Sequence, residues 1–159
     1  MIMKPNIGIP QKELKKSISL LTVLLSNEMM LYVKTRKFHW NISGNSFMEM
    51  HKLFEGQYVA LATIVDEVAE RISKLGEKAI GTMNEFIENA TIKESPNAYP
   101  NQKEMLTELL ANQEHLISEI RASLPIYEDE TNDAGTTDFV TGIMQKHETM
   151  AWIIRRYLS

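Results

Sequence analysis

The sequence contains no cysteine. It therefore cannot build a disulfide framework, an iron–sulfur cluster or a thiol nucleophile. Glycine and proline are scarce, 7 and 5 of 159 residues, which argues against a loop-rich all-β protein and against disorder. No apolar run approaches the roughly 20 residues of a membrane span. The opening segment MIMKPNIGIPQKELKK lacks the apolar stretch of a secretory signal, so a cytoplasmic protein with no membrane partner is expected. No glycine-rich phosphate loop, nucleophile elbow, internal repeat or low-complexity segment is present. The net charge of −4 gives no support to a globally basic nucleic-acid binder. It leaves room for an acidic surface that attracts cations. The length fits a single domain over 1–159, with a short N-terminal tail at about 1–9.

The few helix breakers are segregated. Residues 11–43, 57–75, 101–124 and 143–159 contain neither glycine nor proline. Long breaker-free stretches with apolar residues at spacings of three and four predict helices. The first is expected from about Pro10 to His39, with Leu14, Ile18, Leu21, Leu25 and Met29 inward. Asn41 to Asn45 reads as a turn. Ser46 or Asn45 can cap a second helix that runs to Leu75 and stops at Gly76. Its core stripe is Phe47, Phe54, Leu61, Val65, Val68, Ile72 and Leu75. Thr82 to Glu85 is a capping box for a short helix to about Ala90. Asn101 with Glu104 opens the third long helix, which ends at Leu124–Pro125, and Tyr127 to Thr137 reads as an acidic loop. The last helix carries Phe139, Ile143, Met150, Ile153, Ile154 and Leu158. Four long helices with one crossover over about 76–100, itself holding a short helix, predict an all-α, ferritin-like four-helix bundle.

Metal sites inside such bundles use glutamate with Glu-x-x-His. The residues three before His39, His51, His115 and His147 are Arg36, Met48, Asn112 and Met144, which disfavours an intra-bundle di-iron carboxylate site. The second helix offers another arrangement. His51 and Glu55 are one turn apart, as are Asp66 and Glu70, and all four fall within an arc of roughly 100°. Val59, Ala62, Ala69 and Ser73 share that face and are small enough for a second backbone to come close. Along the axis, however, His51 lies roughly 22 Å from Glu70 and Glu55 roughly 16 Å from Asp66. One chain cannot gather them around a metal ion. Two antiparallel copies can. A two-fold axis between Ala60 and Leu61 carries position n to 121−n, which sets His51 against Glu70 and Glu55 against Asp66 of the other copy. The spacing thus fits two equivalent metal sites shared across a dimer interface. The competing reading is a solvated acidic face, paired in part with Arg71 or Lys74. His115 and His147 read as structural or surface residues, and the ten methionines as core filler.

The string His39-Trp40-Asn41-x-x-Gly44-x-x-Phe47-x-x-x-His51-x-x-Phe54, with Tyr58, Asp66-Glu67-x-Ala69-Glu70-Arg71-Ile72 and Trp152-x-x-Arg155, resembles the signature of the Dps family, the mini-ferritins. The resemblance spans nearly the whole chain. It implies a hollow homododecamer with a ferroxidase site at each two-fold interface. His39 and His51 would come from one subunit, Asp66 and Glu70 from its partner. Glu55 stands where the family usually has aspartate, either as a direct ligand or through water. Trp40 stands beside the site, as an electron donor that quenches oxidising species or as helix-end packing. Imidazole and carboxylate suit iron. Fe(II) with hydrogen peroxide is the implied substrate pair, a ferric mineral the implied cargo, and Zn(II) an inert occupant. Asp129, Glu130, Asp133 and Asp138 would line a pore for iron entry; the alternative is a solvated acidic loop with Asp133 or Asp138 at a helix N-terminus. For DNA, residues 1–16 hold four lysines against one glutamate, a net of +3 against −7 for the rest. Lys12, Lys15 and Lys16 fall on the helix rather than a free arm, so DNA binding is expected to be weak. The competing class is a DNA-coating or structural shell without catalysis.

Overall fold

The computed structural model describes residues 4–159, so Met1 to Met3 of the expected tail lie outside the described residues. The described residues form helices α1 (Gln11–Asn41), α2 (Phe47–Lys74), α3 (Met83–Asn89), α4 (Gln102–Pro125) and α5 (Ala134–Leu158), with one π-helical turn at Ile126–Glu130. No strand occurs among them. The expected all-α bundle is what the chain forms.

α1 and α2 lie antiparallel, so Tyr32 meets Tyr58 and His39 meets His51. α4 and α5 form a second antiparallel pair, in which Arg121 reaches Glu148 and Glu114 reaches Arg155. The two hairpins meet through α1 against α4 and α2 against α5. The crossover carries α3, whose Phe86 is buried, along α1. One core runs the length of the bundle, from Leu14, Leu21 and Leu25 through Phe54, Leu61 and Val68 to Ile143 and Ile154.

Local chemistry sets most boundaries. Thr82 with Glu85 and Asn101 with Glu104 form the expected capping boxes of α3 and α4. α2 ends at a left-handed Gly76, φ +97, where a Cβ would sit 2.4 Å from the Pro5 side chain. Only glycine permits both that backbone and that approach.

Several expectations need correction. Pro10 is the N-cap of α1 rather than its first residue, because its carbonyl already accepts from Glu13 and Leu14. Ser46 precedes α2 but makes no side-chain cap bond. Phe47 is 39% exposed; as the first residue of α2 it overhangs the bundle end and stacks on His51 instead of entering the core. Ile18, Met29, Val65, Phe139, Ile153 and Leu158 are only partly buried. The segment read as an acidic loop is largely helical. Pro125 removes one backbone donor, but winding continues as the π turn, because Thr131 N–H reaches Ile126 O and the Thr131 hydroxyl donates to Tyr127 O. α5 then begins at Ala134, earlier than the acidic composition implied.

Candidate metal centre

His39 closes the last turns of α1 and His51 the second turn of α2, where the hairpin turn brings the helix ends together. Their rings stack with centroids 3.7 Å apart. His39 Nδ1 lies 2.8 Å from the main-chain oxygen of His51, and His51 Nδ1 lies 2.9 Å from that of His39. A carbonyl oxygen can only accept, so both Nδ1 atoms carry the proton and donate. The proton of a neutral ring is thereby held on Nδ1, which keeps Nε2 as the nitrogen that can bind a cation. A main-chain carbonyl holding the far nitrogen is the usual way a protein fixes the tautomer of a metal-binding imidazole. The pair is walled by Phe47, 5.1 Å from the His51 ring, and by the edge of Tyr58, 5.1 Å from His39.

The carboxylates are placed differently. Glu55, Asp66 and Glu70 are all exposed on α2. Glu70 is ion-paired to Lys74, one turn on and equally exposed. Among the described residues, Glu55 and Asp66 have no hydrogen-bond or ion-pair partner. No group of three or more potential metal-ligating side chains converges among the described residues. The structure thus joins His39 to His51 but leaves Asp66 and Glu70 up the helix from them. Exposed Val59, Ala60, Ala62 and Thr63 separate the two ends of that face.

Trp40 is 63% exposed and packs on the Arg36 guanidinium, 5.1 Å from its ring centroid. Arg36 also lies 4.8 Å from the Tyr58 ring centroid, and its Nη1 donates to Tyr32 Oη at 2.6 Å. An aromatic and cationic cluster that composition did not reveal therefore adjoins the histidines.

Of the acidic residues assigned to a pore, Asp129, Glu130 and Asp138 are exposed, with Glu130 ion-paired to Lys16. Asp133 is placed differently from these three. It is 2% exposed, caps α5 through Thr136 N–H, and accepts from Arg71 Nη2 at 3.2 Å. Its carboxylate is bonded within its own chain. This is the helix-terminus role, which its position just before α5 made legible.

The two other histidines also have carboxylate partners not assigned from the sequence, although Glu119 lies one helical turn after His115. His115, on the surface, is 3.4 Å from Glu119. His147 is fully buried and 2.7 Å from Glu28. The missed signal for Glu28 was its register: it falls three residues after Leu25 and three before Leu31, in the core stripe of α1.

Comparisons with known proteins fit this arrangement. A ferritin-like domain model matches residues 18–159. A low-temperature-induced protein of Nostoc sp. is 37% identical over 97% of this chain and 86% of its own length. DNA protection during starvation protein 2 of Bacillus anthracis is 32% identical over 91% of this chain and 98% of its own. The crystal structure of a Dps protein from Vibrio cholerae O1, described as a member of a broad superfamily of ferritin-like diiron-carboxylate proteins, superposes with a TM-score of 0.91 at 28% identity. It covers 100% of this chain and 99% of that one.

Proposed function

Because the chain belongs to the Dps family of ferritin-like proteins, a family of iron storage and DNA protection, we propose that it is a ferroxidase that oxidises Fe(II) with hydrogen peroxide. Its ferric product is stored inside a dodecameric shell. The observation that carries the reading is the reciprocal pair of Nδ1 hydrogen bonds between two stacked imidazoles, which keeps their Nε2 atoms for a ligand.

The site is completed by a second copy. The α2 face holds His51 and Glu55 at one end and Asp66 and Glu70 at the other, in the register a two-fold axis requires. His39 and His51 of one subunit then meet Asp66 and Glu70 of the other, with Glu55 beside them. Two ferrous ions are the substrate. The imidazoles supply neutral nitrogen donors, and the carboxylates offset the cation charge. Each ion gives up one electron, the O–O bond of peroxide breaks, and its two oxygens leave as hydroxide or, with two protons, as water. Withdrawing both electrons together removes iron and peroxide without releasing hydroxyl radical. Trp40, exposed beside the histidines, is the electron donor for any oxidant that escapes. Asp129, Glu130 and Asp138 attract incoming Fe(II) around a three-fold opening. Zn(II) fits the same nitrogen and oxygen donors, has no redox chemistry and therefore inhibits. No described helix is long and apolar enough to cross a membrane, and we assign the protein to the cytoplasm.

Protection of DNA follows from removing the reagents of radical formation rather than from coating the duplex. Lys16 is tied to Glu130, so one of the few N-terminal cations is already paired. The test is direct. Fe(II) is added to the purified protein without oxygen, then peroxide is titrated in. Two irons oxidised per peroxide, with little spin-trapped hydroxyl radical, is the expected result. One iron per peroxide with abundant radical would contradict the reading.

A further inference from the structure

The buried polar residues of the long helices include Glu28 in α1, Gln57 in α2, Gln113 in α4 and His147 in α5. All four are nearly or wholly shielded from solvent. Three of them form a bonded chain across the bundle. His147 Nε2 lies 2.7 Å from Glu28 Oε1, and His147 Nδ1 lies 2.5 Å from Gln113 Oε1. The orientation of Gln113 is set from its other end, where its Nε2 lies 3.7 Å from the Met150 sulfur. Turning the amide round would face its oxygen toward a thioether sulfur, a weak acceptor with no proton to give.

Both ring nitrogens of His147 therefore face oxygen acceptors. A neutral imidazole has one N–H, so beside an ionised Glu28 either tautomer would press one ring lone pair against an oxygen lone pair. One additional positive charge is required between the ring and its neighbours. A metal ion does not fit the spacing. Held at roughly 2.0–2.2 Å from both a nitrogen and an oxygen, it would keep them about 3 Å or more apart, whereas 2.7 Å is a hydrogen bond.

We propose that His147 is an imidazolium ion paired with ionised Glu28. Together with Gln113, the pair latches α1 of one hairpin to α4 and α5 of the other. The latch lies where the hairpins meet, so it fixes their relative register, which apolar packing alone specifies loosely. Its charges are fully enclosed, and the second Glu28 oxygen has no hydrogen-bond partner among the described residues. Removing one member alone strands a buried charge; removing both leaves an amide network of similar size.

The fingerprint is a double-mutant cycle on the assembled protein. Glu28→Gln and His147→Gln are each expected to lower Tm by roughly 10 °C, and the double variant to recover at least half of the loss. Magic-angle-spinning spectra of 15N-histidine-labelled protein, with His147→Gln to assign the signal, are expected to show two protonated nitrogens on His147 at neutral pH. If the single variants do not fold, the wild-type spectrum decides alone. The proposal is overturned by one unprotonated nitrogen on His147. It is equally overturned by a Glu28→Gln variant as stable as wild type. It also fails if Co2+ is retained by the His39→Ala/His51→Ala protein and lost when Glu28→Gln is added.

Discussion

His39 and His51 commit their Nδ1 protons to each other's main chain, so what the site can bind depends on the two nitrogens that remain. Replacing His39 by alanine removes one nitrogen donor and the ring stacked on His51, while the main-chain oxygen that fixes the His51 tautomer remains. The core stripe is untouched. His39→Ala is expected to slow peroxide-driven Fe(II) oxidation by at least about ten-fold, measured by stopped-flow absorbance, with the folded helical content unchanged by circular dichroism. Undiminished rates would move the site elsewhere. The same residues show what a sequence can reveal at this scale. The spacing of His51, Glu55, Asp66 and Glu70 was legible because a helix turns a number difference into an angle and a distance. The stacking of His39 on His51 was not, since it depends on how the hairpin turn closes. Nor was the burial of Asp133, whose carboxylate caps α5.

Among the elements, boundaries were legible wherever a short-range hydrogen bond sets them. The boxes at Thr82–Glu85 and Asn101–Glu104 are examples, as is the glycine stop after α2. Where tertiary packing decides, composition misled. Tyr127 and Thr131 are buried within an acidic stretch and hold it in a π turn that charge alone would have left as loop. Glu28 was overlooked for the opposite reason, because it is a charged residue among positions read as apolar, and with it the partner of His147. The α3 cap also makes a statement about pH. Backbone N–H donation from Gly81, then the Thr82 hydroxyl and Thr82 N–H, hold the Glu85 carboxyl below its ordinary value of 4.5. A lowered value in the folded state favours the fold above the ordinary value, and that contribution is lost as pH falls through the lowered one. Amide exchange in α3 is therefore expected to accelerate in acid below pH 4.5 before α1 or α2 responds. A Glu85→Gln variant should lose that acid dependence. Uniform exchange across all helices would contradict the assignment.

For the whole molecule, the chain forms a four-helix bundle, and on the proposed reading its metal site is divided between two copies. Its histidines are assembled, its carboxylates lie up the same helix, and a second copy in antiparallel register would supply each with the other. Consider a His39→Ala/His51→Ala variant and an Asp66→Ala/Glu70→Ala variant. Each alone lacks half of every shared site, so neither is expected to bind Fe(II) tightly. Unfolded together and reassembled at equal ratio, about half of the dimers pair unlike chains, and each of those regains one intact site of two. Iron binding by the mixture at about a quarter of the wild-type stoichiometry is the expected result. Particles verified to contain both chains that recover no iron sites would contradict the shared centre.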